Sequence, residues 1–328
     1  MDKLKLGRKQ NRFEIYMGDI KKMYTELNKD ELRRAVAWLI RLFKDCFGAK
    51  MTIKVRKHLR KGKEHKEMNA LLGKNALSRQ RYYELTMDQI RQIVNFDLDN
   101  AWFRLGKHVM EQVKGIPMGS NLSPALAYLI CAFYERKIRQ TIPQNRLTRI
   151  KGARYMDDLL IIMIVPKQDA VMEQLMEEDM RRITITGNAD SIYHKDLNIK
   201  KEEDERGALC LGTLIYETNL GLLNIRYMNK NEEGLEANGT QTCPRFQHAQ
   251  SFAPWTQKKG LVIGTFKRVL RLTSDKRDVL AQSKLLTQEL MSIGYKRKDI
   301  IEIIRRQAVQ EHNKKLWQAI CKELKNDI

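Results

Sequence analysis

Two adjacent carboxylates, Asp157 and Asp158, stand between the segment IKGARY and the unbroken apolar run LLIIMIV. The run is short for a helix and reads as a buried strand. The pattern predicts a hairpin on a buried sheet, with the two acids at its tip. Like charges this close cannot both stay ionised in a dry site without a counter-charge. A divalent cation would supply it, and an acidic turn in open water is the plain alternative. The rest of the chain has to be arranged around that hairpin.

A two-metal site needs a further carboxylate from another strand. FEIYMGDI, residues 13–20, alternates apolar residues and reads as a strand ending at Asp19. The helix NKDELRRAVAWLIRLF follows, with Asn28 or Asp30 as its cap and Gly48 as its stop. Such a βα unit can bring Asp19 beside the later hairpin. Asp97 and Asp99, in the strand-like stretch NFDLDNAWF, are the other candidates. Asp97 lies 18 residues before Gly115, which leaves no room for a helix between them, so Asp19 is preferred.

Residues 115–124, GIPMGSNLSP, form the third element. Two glycines and two prolines around a turn let backbone approach a flat substrate closely. The helix PALAYLICAFYERKI follows, with Ser123 as its cap and Pro124 in its first turn, and its N-terminus favours phosphate. On its own this is an ordinary strand-to-helix turn.

Charge narrows the partner. Lys and Arg number 61 against 40 Asp and Glu, a formal +21, which asks for a polyanion. Residues 50–67 hold eight basic side chains (Lys50, Lys54, Arg56, Lys57, Arg60, Lys61, Lys63, Lys66) against two acids, a solvated loop or a backbone-contacting arm. Residues 229–255 are poor in periodicity and read as an irregular connection. Beyond them three helical segments follow: GLVIGTFKRVLRL, then a second capped by Ser274 and ended by Gly294, then one long run from residue 296. Residues 258–306 hold 13 basic and 5 acidic side chains.

Other classes are excluded. At 42% hydrophobic residues the chain can bury a core. No apolar run approaches the roughly 20 residues of a spanning helix, and the first residues hold no signal core. Five scattered cysteines without a CxxC pair argue for a reducing compartment and against a zinc ribbon. An intracellular protein, nuclear or cytoplasmic, with no membrane partner is expected.

The three elements, in this order, resemble the reverse transcriptases. MGDIKKMYTEL looks like their first catalytic motif, GIPMGSNLSPALA like the template and nucleotide turn, and RYMDDLLII like the Asp-Asp motif. LNIKKEE and LCLGTLI look like the two motifs after it, the second being the primer grip. DIKKMYT, the Met-Gly-Ser turn and the helices FKRVLRLTSD and SIGYKRKDI are most similar to Penelope-like elements. The resemblance covers residues 13–306.

It implies an α+β right-hand polymerase: a palm of antiparallel sheet backed by helices, an all-helical C-terminal thumb and reduced fingers. Residues 1–48 would be the first palm segment, 49–114 a basic insertion serving as partial fingers, 115–232 the palm core, 233–256 a linker and 257–328 the thumb. Asp19, Asp157 and Asp158, with the carbonyl of Ile20, would hold two Mg²⁺ ions, or Mn²⁺ in their place. Tyr24 would be the aromatic gate beneath the sugar. Met118 and Gly119 would lie under the nascent base pair, and Lys200 or Lys201 would serve the phosphates. Gly115, Ser120, Ser123, Pro124, Leu211, Gly212, Lys267, Arg268 and Arg271 would touch primer and template.

The partners so implied are an RNA template, a DNA primer and product duplex, and dNTPs. About a dozen residues precede the first motif, so the fingers contacts are expected from the insertion or from another polypeptide. Telomerase-like synthesis and a non-catalytic nucleic-acid-binding module are the alternative readings.

Overall fold

The structure is a computed structural model that describes residues 11–48, 50–56, 70–72, 82–186, 191–202, 205–308 and 314–326. Apolar alternation before Asp19 produces β1 (Asn11–Lys21), which leads through the single turn α1 (Met23–Glu26) into α2 (Lys29–Phe47). Asn28 is the cap of α2: its side chain accepts the N–H groups of Asp30 and Glu31 at 2.8 and 3.2 Å. Such a cap is worth about 1 kcal/mol. Gly48, at φ 94, ends the helix in a conformation that favours glycine.

The insertion follows. β2 (Thr52–Arg56), β3 (Ala70–Leu72) and β4 (Tyr82–Thr86) form an antiparallel sheet in the order β3-β2-β4. The basic residues Lys57, Arg60, Lys61, Lys63 and Lys66 lie outside the described residues. α3 (Met87–Asp99) runs further than its sequence pattern suggests and absorbs the strand-like NFDLD. A capping box between Thr86 and Gln89 starts it, and burial of Val94 and Leu98 holds it to the core. β5 (Trp102–Leu105) and β6 (His108–Glu111) then form an exposed hairpin.

The central sheet is built from distant segments. α4 (Ser123–Thr141) and the short α5 (Gln144–Leu147) precede β7 (Ile150–Tyr155) and β8 (Asp158–Pro166); α6 (Ala170–Thr184) and β9 (Asn198–Lys201) follow. The four strands are antiparallel in the order β7-β8-β1-β9. Tyr16 and Ile20 of β1, Leu159, Ile161 and Met163 of β8, and Ile199 of β9 face a core shared with α2 and α4, including Leu32, Ala127 and Ile130. The opposite face of the sheet carries Asp19 and Asp158. Ser123 is not the cap of α4 but its first residue; its hydroxyl is drawn inward and donates to the Pro117 carbonyl.

A second unit completes the chain. β10 (Ala208–Cys210), β11 (Thr213–Glu217) and β12 (Leu223–Tyr227) form a small antiparallel sheet. α7 (Glu232–Asn238), α8 (Trp255–Arg271), α9 (Lys276–Ser292), α10 (Arg297–Ala308) and α11 (Lys314–Asn326) follow. Their own core gathers Phe266, Val269, Leu286, Ile303, Trp317 and Ile320. The run from residue 296 is thus two elements among the described residues, packed on each other. Asp275, not Ser274, caps α9, because the Ser274 hydroxyl is taken up by both backbone groups of Ile225 on β12. The aperiodic stretch after β12 holds α7 and a buried polar cluster around Glu289.

Candidate functional site

The pairing register decides which side chains meet. Asp19 lies opposite Asp158 on one side and opposite Lys200 on the other. Residues directly across a ladder project to the same face, so these three share the face turned away from the helices. Asp157 is exposed in the two-residue turn between β7 and β8, where the half-buried Met156 adopts a left-handed φ of 56. The turn is tied to β1, because the Ile20 N–H donates to the Asp157 carbonyl at 3.0 Å. Lys201 lies opposite Gly18 and so on the other face from Asp19.

Negative charge accumulates here. The Asp158 carboxyl is held above the usual range, first by desolvation and then by the charges of Asp157, Glu202 and Asp19, with Lys21 opposing. Lys21 Nζ bonds Asp19 Oδ2, and that bond raises the Lys21 pKa. Sequence reasoning passed over both Lys21 and Glu202. Their signal was the two-residue strand period: each lies two positions after a residue of the carboxylate face. Among the described residues no three His, Cys, Asp or Glu side chains already converge as a metal site. The donor chemistry nonetheless fits a hard cation: all oxygen, all anionic, with an excess of negative charge that Lys21 relieves in part.

The glycine turn is docked beside this cluster. Gly115 has φ +76, and a Cβ there would lie 2.4 Å from the Tyr24 carbonyl oxygen and 2.7 Å from Thr25 backbone. The next N–H, that of Ile116, donates to the same Tyr24 carbonyl at 2.8 Å. Tyr24 is half-buried, and its phenol pKa is raised by burial and then by the charges of Asp157 and Tyr128. Met118 is 75% exposed, and a Cβ on Gly119 would meet open space. Ser120 Oγ donates toward both Asp97 oxygens, at 3.1 and 2.9 Å, and accepts the Leu122 N–H. Asp97 therefore holds the turn, while Asp99 pairs with Arg33; neither joins the cluster. Pro124 is exposed in the first turn of α4.

The small sheet packs against β1 through β10 and β11. Leu211 (φ 49) and Gly212 (φ 76) form the turn between β10 and β11. Arg268 of α8 donates to the Leu211 carbonyl at 3.2 Å, and the Met228 N–H donates to that of Gly212 at 3.0 Å. Burial, then the charges of Asp158 and Glu202, push up the Cys210 thiol, so this turn lies within the field of the carboxylates. On α8, Arg268 and Arg271 are exposed and Lys267 is half-buried.

No helix among the described residues is long and apolar enough to cross a membrane. No curated protein matches the sequence. Residues 245–306 match the family model described as an animal helix-turn-helix domain, a stretch that spans α8, α9 and most of α10. Among solved structures, telomerase from Candida albicans, in complex with a TWJ fragment of telomeric RNA, is similar at 12% identity and a TM-score of 0.54. That match covers 95% of this chain and 44% of that one. Apo telomerase from Candida tropicalis is similar at 10% identity and a TM-score of 0.46, over 89% of this chain and 44% of that one. The chain thus spans less than half the length of these telomerases. The antiparallel central sheet, its helices and the likeness to the Candida albicans telomerase together show a polymerase-like α+β fold.

Proposed function

We propose that the chain is the catalytic core of an RNA-directed DNA polymerase, of the retroelement kind that its Penelope-like motifs suggest. The observation that carries this reading is the in-register meeting of Asp19 and Asp158, with Asp157 at the tied hairpin tip. Asp19, Asp157, Asp158 and the Ile20 carbonyl would hold two Mg²⁺ or Mn²⁺ ions, whose chemistry is to acidify the primer 3′-hydroxyl and neutralise the leaving pyrophosphate. Lys200 shares that face and is suited to protonate a pyrophosphate oxygen from Nζ. Tyr24, whose carbonyl holds the glycine turn and whose phenol feels the charge of Asp157, would carry the ring that collides with a 2′-hydroxyl.

The turn from Gly115 to Ser123 supports the new base pair through Met118 and Gly119. Leu211 and Gly212 steady the primer, and Lys267, Arg268 and Arg271 contact duplex phosphates. The partners are then an RNA template, a DNA primer and dNTPs.

Primer extension on a primed RNA template with Mg²⁺ and dNTPs tests the reading, with Asp157→Ala in parallel. Wild-type extension that the variant abolishes is expected. Extension by neither protein, with duplex bound equally by both in a salt-dependent way, would leave a nucleic-acid-binding module and overturn the catalytic reading.

A further inference from the structure

Away from the carboxylate face, α10 and α11 enclose a groove of about 360 Å³ whose walls include Arg305, Lys314, Gln318, Lys322 and Lys325, with Cys321 at its floor. Four of these side chains are cations, and no carboxylate lines the groove among the described residues. On α11 the exposed Lys314, Gln318, Lys322 and Lys325 recur at helical spacing along one face. Each four-residue step rises about 6 Å. The other face of α11, with Trp317, Ile320 and Leu324, is buried in the helical core, which fixes the orientation of the stripe.

One neighbouring acid offsets a single groove cation, Arg305, and another is engaged elsewhere, which leaves Lys314, Lys322 and Lys325 as the excess charge. Glu302 is shared between Arg305 and Arg306, both at 2.8 Å. Glu323 is drawn to Lys284 of α9 at 2.9 Å. Burial raises the Cys321 pKa at the groove floor; the charges of Lys325 and Arg305 oppose that rise, and that of Glu302 adds to it. Cations gathered around a hollow repel one another, and an anion relieves the repulsion. A stripe that repeats turn by turn along a helix suits a ligand with repeated charges better than a single small anion.

We propose that this groove binds the phosphodiester backbone of a nucleic-acid strand, beyond the part of the substrate that lies over Asp19 and Asp158. The proposal shares with the reading above the expectation of a nucleic-acid partner, but it does not depend on catalysis.

The test is equilibrium binding of a fluorescent single-stranded RNA, measured across a salt series. The groove variant K314E/K322E/K325E is compared with K151E/K167E/K195E, which changes net charge equally at exposed sites elsewhere. The groove variant should bind at least about tenfold more weakly at low salt, and its slope of log Kd against log salt should fall by about two, the value for three lost single-strand contacts. The control should keep the wild-type slope. Equal losses in the two variants would overturn the proposal. So would RNA binding that is unaffected while inositol hexakisphosphate, or equimolar phosphatidylcholine–phosphatidylserine vesicles, lose their binding to the groove variant. Melting curves report folding, and if the charge reversal unfolds the protein, K314Q/K322Q/K325Q carries the same comparison. Extension by wild type and Asp157→Ala is read separately, so absence of polymerase activity and absence of groove binding are distinguishable.

Discussion

Gly115 and Tyr24 are in contact through their backbones: a Cβ on the glycine would lie 2.4 Å from the tyrosine carbonyl oxygen. The same carbonyl accepts the Ile116 N–H, so the glycine turn and the segment after Asp19 form one unit. Gly115→Ala adds a left-handed φ penalty to that overlap and should cost about 2–4 kcal/mol. Gly119→Ala, where a Cβ meets open space, should change stability by less than about 0.5 kcal/mol. Thermal unfolding of the two variants checks the contrast, and equal losses would refute the packing argument.

Asp97 and Ser120 make the turn's other anchor. Asp97→Ala and Ser120→Ala should each destabilise by about 1.5 kcal/mol, the low end for a hydrogen bond to a charged group. The double variant should lose little more than either single one, because both remove the same contact. A urea double-mutant cycle measures this, and full additivity would show that the two residues act independently.

Arg245 joins the segment after β12 to α9. It donates to Glu289, to the Tyr227 hydroxyl and to the Asn229 side chain, the last two at 2.8 Å. Glu289 is 0% exposed, with Asn229 and Asn231 as its other donors. Arg245→Met strands a buried carboxylate and should cost about 3–5 kcal/mol, with part of the loss recovered when Glu289→Met is added. Urea unfolding midpoints decide it; a single variant as stable as wild type would mean that the cluster does not hold the helical unit together.

Burial pushes the Cys131 thiol up to about 12, beneath the central sheet. A folded pKa above the unfolded one means that the native state keeps a proton the unfolded chain gives up. The stabilising contribution is therefore complete below the unfolded thiol pKa and is lost as pH rises toward about 12. Cys131→Ser should flatten the alkaline fall in stability between those limits. With a thiol reagent at neutral pH, the exposed Cys46 and Cys243 should react at once and Cys131 only after unfolding. Rapid labelling of Cys131 in the native protein would contradict this burial.

The sequence by itself determined the elements whose signals are local. The alternation before Asp19 and the unbroken apolar run after Asp158 need no partner to be read, nor does the helical stripe of α4 or the Gly48 stop of α2. Three ordered motifs were enough to suggest a polymerase-like fold, which the structure and the telomerase likeness show. What the sequence left open depends on contacts between distant residues. Which of Lys200 and Lys201 shares the face of Asp19 follows from the register, and a one-residue slip would reverse it. Asp97 looked like a rival carboxylate until Ser120 engaged it. Ser274 had the chemistry of a cap, yet β12 takes its hydroxyl and leaves Asp275 to start the helix. The aperiodic stretch after β12 is ordered by Arg245 and Glu289, which are far apart in sequence. Local propensity sets helices, strands and turns; side-chain placement at the carboxylate face comes from register and burial, which only the tertiary structure decides.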